Sequence, residues 1–181
     1  MIQGSSVFLK LLEDDEIPII VRILQDPKVS DTIYRKYIEI TNSNAAPMLL
    51  SGQSANECKL FGVWSKAGPN PRLIGLISLR NIDNIHRTAW IGTIAVNLSD
   101  QKNGYITEAG RLIIEYAFNT LNLEKVQAAV LADHPIVPRM IEKMGGMKEG
   151  NLRGSYFQDG ARNDELIYGL LRSEYSVSKE N

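Results

Sequence analysis

The sequence predicts a single α/β domain. Three observations carry that expectation. β-branched and aliphatic runs of strand length alternate with segments of helical period along the chain. Two pairs of strand-like runs are joined by turn sequences rich in Gly, Pro, Asn or Asp. The length of 181 residues, 44% of them hydrophobic, suits one core. A chain of this size buries about 70% of the surface its unfolded form exposes, so it needs no disulfide or metal staple.

The elements follow in order. Val7–Leu12 is a short apolar run, and Glu13-Asp14-Asp15-Glu16 then supplies negative charge and a cap for a helix with Pro18 in its first turn. That helix presents Ile19, Ile20, Ile23 and Leu24 on one face and stops before Asp26-Pro27. From Ser30 to Lys59 the pattern is weak: a helix near Tyr34–Ile40, then a long loop rich in Ser and Asn. Leu60–Trp64 and Leu73–Leu79 form a hairpin across Gly68-Pro69-Asn70-Pro71, and a third strand spans Thr88–Asn97. After the polar loop LSDQKNGY comes a periodic helix, Ile106–Leu121, ended by Asn122. Val126–Ala132 is a strand and Pro138–Met144 a short helix closed by Gly145-Gly146. A last hairpin runs through Leu152–Phe157 and Glu165–Leu171 across Gln158-Asp159-Gly160. No repeat or internal boundary interrupts residues 1–181; 30–59 reads as a variable segment and 174–181 as a flexible tail.

Composition excludes several functions. One cysteine, Cys58, and two histidines, His86 and His134, cannot build a Cys/His zinc cage, so no metal is expected unless carboxylates alone hold it. With 20 Lys+Arg against 21 Asp+Glu, the chain lacks the basic excess of a dedicated nucleic-acid binder. The N-terminal apolar run is too short for a signal sequence, and no apolar stretch reaches membrane-spanning length, so the expected location is the cytoplasm with no membrane partner.

The informative stretch is strand, polar glycine loop, helix: IGTIAVN, LSDQKNG, YITEAGRLIIEYAF. A glycine before a helix lets backbone approach an anion, and the free N–H groups of the first turn favour a phosphate there. The loop matches neither common nucleotide fingerprint, and Gly104 is its single glycine, so the residues alone leave an ordinary connection open.

HRTAWIGTIAVNLSDQKNGYITEA, from His86 to Ala109, resembles the cofactor-binding core of the GNAT superfamily of acyl-CoA-dependent N-acetyltransferases, in the branch of ribosomal-protein N-terminal and spermidine acetyltransferases. Tyr116-Ala117-Phe118, Leu121 through Val126, Glu142-Lys143-Met144-Gly145, Glu149-Gly150, Leu152-Arg153 and Asp159-Gly160 follow in the same order and spacing. The resemblance covers Leu60 to Tyr175. It implies a mixed, mostly antiparallel sheet flanked by helices, with a splayed strand pair as the CoA cleft. Gln101, Lys102, Asn103, Gly104, Tyr105, Ile106 and Thr107 would wrap the pyrophosphate, mainly through backbone N–H groups. The backbone of Ile94, Ala95 and Val96 would pair with the pantetheine arm.

The implied activity is direct acetyl transfer from acetyl-CoA to a primary amine: a protein N-terminus, polyamine, amino sugar or aminoglycoside. The implied partners are a small-molecule or peptide amine, with a homodimer allowed. This chain has Trp90 where the branch usually has an acid, His134 for an Asn, Ile141 for a Tyr, Ile106 for Gly/Ala and Gly146 for Phe. These departures motivate the alternative of a CoA-binding protein without useful catalysis. His134, with an unperturbed pKa of about 6.5, is the candidate general base; it also reads as a helix cap or CoA contact. Trp90 either fills core or walls an acceptor pocket, and Tyr156 either packs or meets the acceptor. Glu108 reads as a structural helix residue and His86 as a surface turn residue. Asp164 and Glu165 either attract an amine or form a solvated strand end.

Overall fold

The strands are Ile2–Gln3 (β1), Val7–Leu11 (β2), Cys58–Ser65 (β3), Arg72–Asp83 (β4), Thr88–Val96 (β5), Lys125–Leu131 (β6), Met147–Gln158 (β7) and Ala161–Leu171 (β8). They form one sheet in the order β1-β2-β3-β4-β5-β6-β8-β7. The helices are Ile17–Gln25 (α1), Pro27–Ser30 (α2), Tyr105–Glu115 (α3), Val137–Lys143 (α4) and Arg172–Ser178 (α5). This computed structural model describes residues 1–30, 40, 41, 43–45, 57–158 and 160–178. The helix expected near Tyr34–Ile40, save Ile40 itself, and most of the 30–59 segment lie outside the described residues.

Every neighbouring strand pair is antiparallel except β5–β6. A parallel pair needs a crossover, which α3 supplies. On that face Ala109, Ile113, Ala117 and Phe118 pack against Ile74, Ile77, Ala89, Val126 and Leu170. On the other, Ile20, Ile23 and Leu24 of α1 cover Leu60, Leu73, Leu76 and Ala95. Apolar periods of 3.6 in the helices and 2 in the strands place these residues on facing sides.

The acidic run acts as the expected cap. Asp14–Glu16 form a 3₁₀ turn leading into α1, and Glu16 Oε2 accepts the backbone N–H of Glu13 at 2.9 Å. The carboxylates of Glu13, Asp15 and Glu16 lie within 4.8 Å of one another, but Lys10 bridges Glu13 and Glu16 at 2.9 and 3.0 Å. After α3 the chain opens into a π-helical turn, Tyr116–Thr120, and Asn122 then takes a left-handed conformation, φ 55°. Arg87 holds Asn122 through its backbone and side-chain oxygens, both at 2.8 Å.

Several boundaries differ from the sequence expectation; β4 runs on to Asp83, and the α-helical part of α3 ends at Glu115. β7 and β8 are longer than the runs Leu152–Phe157 and Glu165–Leu171. Residues 174–178, read as tail, belong to α5, whose Tyr175 ring meets Phe118 at 5.4 Å. Among the described residues no helix is long and apolar enough to cross a membrane.

Candidate active site

Parallel pairing of β5 with β6 runs from Thr88↔Lys125 to Ile91↔Ala128 and then ends. The cause lies in β5. Between Leu79↔Ile91 and Ile77↔Ile94, three steps along β5 match two along β4, so Gly92-Thr93 carries a bulge. Gly92 is required there, because a Cβ would run into Ser78 Oγ and the Arg80 side chain. β6 stays paired with β8 up to Leu131↔Glu165 while β5 bends away. The sheet therefore opens, and a cavity of about 770 Å³ passes through the gap, touching Gly110 and Met144 on the α3 face and Leu24 and Val29 on the α1 face.

On the α3 face, Gly104 has φ 74° and a Cβ there would meet nothing within 4 Å. The first intrahelical bond of α3 is Glu108 N–H to Gly104 O at 3.0 Å, so the N–H groups of Tyr105, Ile106 and Thr107 precede the ladder. The turn Leu98–Asn103 before them is anchored from beneath. Arg72 forks onto the buried Asp100 carboxylate at 3.0 and 2.6 Å, and this pairing raises the Arg72 pKa. Gln101 Nε2 donates to Val96 O at 3.4 Å. The opposite wall is α4, tied to the sheet by the Tyr168 hydroxyl, which donates to Glu142 Oε1 at 3.0 Å. Burial pushes the Tyr168 phenol pKa up, and the neighbouring Glu142 adds to this. Arg139 and Lys143 of α4 bring positive charge to this half.

His134 sits just before α4. Its Nδ1 accepts the N–H groups of Ile136 at 3.2 Å and Val137 at 3.1 Å, the two donors that open the helix. Burial lowers its pKa, partly opposed by Asp133. The neutral ring with Nδ1 as acceptor carries its proton on Nε2 and can only donate from that atom. The geometry is that of a cap with a donor edge, and Nδ1 is not free to take a proton from an amine.

On the α1 face, strand parity brings Trp90, Gln127, Tyr156 and Glu165 to one side, and all four line the cavity. Trp90 is half-buried and stands at the wall, outside the buried core clusters. Glu165, read as an amine contact or a solvated strand end, is 8% exposed and lies inside β8. Ser155 Oγ donates to its Oε2 at 2.9 Å, and the Tyr156 hydroxyl lies 3.5 Å from its Oε1.

Of the expected cofactor residues, the cavity is lined by Ile94, Ala95, Val96, Gln101, Gly104, Ile106, Thr107 and His134. Among the described residues, Asn103 and Tyr105 are not in its walls, and the Tyr105 side chain is buried in the core packed around α3. Glu108 accepts the Ser6 N–H at 3.0 and 3.2 Å, a structural role that matches its reading. His86 lies in an exposed turn closed by Asp83, whose Oδ1 accepts the N–H groups of Ile85 and His86, both at 2.8 Å. Arg139, Gln127 and Tyr168 were absent from the sequence candidates; their signal is only their place beside the splayed strands.

The relatives agree with this architecture. The family described as Acetyltransferase (GNAT) domain matches residues 6–147. The uncharacterized N-acetyltransferase YoaA of Bacillus subtilis is 32% identical over 100 residues, 55% of this chain and 56% of that protein. The spermidine N(1)-acetyltransferase of Vibrio cholerae is 31% identical over 103 residues, 57% of this chain and 59% of its own length. The chain thus spans somewhat more than half the length of these curated relatives. The crystal structure of spermidine N-acetyltransferase from Vibrio cholerae in complex with CoA and spermine shares the fold, with a TM-score of 0.84 over 96% of this chain and 99% of that one at 24% identity. On the family match and the splayed, bulged sheet together, the chain belongs to the GNAT acetyltransferase domain family.

Proposed function

We propose that the chain transfers an acetyl group from acetyl-CoA to a primary amine within this cleft. The observation that carries the reading is the end of β5–β6 pairing at Ile91↔Ala128, which opens a cavity through the sheet. Acetyl-CoA supplies the activated acyl group as a thioester.

The residues present suit such a cofactor. Apolar walls at Ile94, Val96, Ile106 and Met140 match an uncharged arm, and Arg139, Lys143 and the leading N–H groups of α3 match an anionic head. Backbone groups of Ile94, Ala95 and Val96 border the gap that β6 leaves. Gln101, Gly104, Ile106 and Thr107 hold the phosphate end, with Lys102, Asn103 and Tyr105 contributing main chain. The acceptor approaches from the α1 face past Trp90 and Tyr156.

The amine must be neutral to attack. With His134 committed to α4, the proton leaves to solvent, and catalysis rests on positioning and on backbone donors of β5. The buried, unpaired Cys58 is in keeping with a reducing, cytoplasmic setting. Nothing in the mechanism calls for a metal. The second reading, binding without turnover, draws on Trp90 at the acceptor wall and Ile141 on α4.

Isothermal titration with acetyl-CoA tests the cleft. Saturable binding is expected, and Gly104→Val should weaken it about tenfold or more, because a β-branched residue resists φ 74° and crowds the approach. Absence of binding by the wild-type protein removes both readings.

A further inference from the structure

We propose that Glu165 receives the cationic nitrogen of the acceptor, an inference that rests on the cleft being an amine acetyltransfer site. Among the described residues that line the cavity, Glu165 supplies the one carboxylate. It is 8% exposed, and its described partners are two hydroxyls, Ser155 Oγ at 2.9 Å and Tyr156 OH at 3.5 Å. No described cation pairs with it. A carboxylate shut away from water is costly unless a positive charge accompanies it, and two neutral donors, one of them at the limit of hydrogen-bond range, offset only part of that cost. Oε1 has only the longer of these contacts, so its acceptor capacity is the less filled of the two oxygens.

Its position separates it from the cleft's own cations. Arg80 lies in one cross-strand row with Trp90, Gln127 and Gly169. Glu165 is four residues further along β8 and across the splay, roughly 13 Å along the strand direction alone. Arg139 and Lys143 belong to α4, on the cofactor side. Arg139 and Lys143 thus stand at the cofactor half of the cavity, while the acceptor face carries the Glu165 carboxylate at one end and Arg80 at the other. Trp90 and Tyr156 also line the cavity, and aromatic rings in such a site favour a cation.

The ligand class follows from this chemistry: a primary amine that arrives as an ammonium, anchored at Glu165 beside Tyr156, with the rest of the acceptor extending toward α1. The carboxylate that the branch usually carries on β5 is Trp90 here, and Glu165 brings negative charge to the same face from β8.

The test combines binding and kinetics on the full chain. Glu165→Gln and Tyr156→Phe are titrated, after saturation with CoA, with a free-N-terminus peptide, spermidine, glucosamine and kanamycin, and thiol release from acetyl-CoA is followed with the same amines. Glu165→Gln should raise the amine Kd and KM about 30-fold or more, the loss expected when one partner of a buried charge pair is neutralised. Its acetyl-CoA Kd should stay within about twofold of wild type, which also reports folding. Tyr156→Phe should raise the amine KM several-fold and carries the test if Glu165→Gln does not fold.

Unchanged amine Kd and KM in both variants overturn the assignment while leaving acetyl transfer in place. Glu165-dependent amine binding without turnover by the wild type keeps the site and removes acetyl transfer. Wild-type protein that neither binds nor acetylates any of these amines overturns both.

Discussion

Arg72, at the start of β4, grips both carboxylate oxygens of Asp100, and this one fork fixes the turn that leads into Gly104 and α3. Asp100 is 2% exposed, whereas the Arg72 side chain is about half exposed, so solvent screens the pair from one side. Asp100→Ala is expected to cost about 1–2 kcal/mol of stability. It should also weaken acetyl-CoA about fivefold to tenfold by loosening the turn, readable by urea unfolding and calorimetry. An unchanged CoA affinity would separate the turn from the cofactor.

His134 should act through α4 and not as a base. His134→Asn, which keeps a side-chain acceptor for the helix N–H groups, is expected to retain the pH–rate profile, and His134→Ala to lose stability by about 1 kcal/mol. Burial holds the folded pKa of His134 below 6.5. Between that lowered value and 6.5 the unfolded chain binds the extra proton. Stability from the neutral ring is therefore complete above pH 6.5 and is lost as pH falls toward the folded pKa. Melting temperature followed against pH should show this component in wild type and not in His134→Asn.

Tyr168→Phe removes the hydroxyl that ties β8 to Glu142. About 1–2 kcal/mol should be lost. The acetyl-CoA Kd should rise a few-fold because α4 lines the half of the cavity proposed for the cofactor, while the amine KM at saturating cofactor stays near wild type. A larger effect on the amine would place α4 on the acceptor side.

Gly75 lies against β5, where a Cβ would meet the Ala95 carbonyl oxygen and the Val96 backbone. Gly75→Ala should destabilise by about 2–3 kcal/mol, since backbone cannot step aside as a side chain can, and this exceeds the entropic benefit of replacing glycine. Chemical denaturation checks it. A neutral or stabilising result would show that the strands separate more readily than the register implies.

Much of the fold is legible in the sequence because periods of 2 and 3.6 are written plainly from Leu60 to Ala132, and Gly104 marks the turn into α3. The acceptor side is not. Glu165 resembles a solvated strand end only while β8 is thought to begin there; in the structure β8 begins four residues earlier, at Ala161, and Glu165 falls within it. The polar run Ala161-Arg-Asn-Asp164 hides that start, because this end of the hairpin is largely solvated and needs no apolar alternation. The bulge at Gly92-Thr93 is equally hidden, since a one-residue insertion shows only against its partner strand. Scarcity makes His134 conspicuous in the sequence, whereas the acceptance of the Ile136 and Val137 N–H groups by its Nδ1 depends on how the chain turns into α4 and has no signature in composition.

Amine-dependent release of free thiol from acetyl-CoA by the wild-type protein tests the central claim most directly. Thiol release is expected to saturate with at least one primary amine and to be matched mole for mole by acetylated amine. Acetyl-CoA bound at the cleft, with no thiol released above the amine-free rate for any amine, would contradict it.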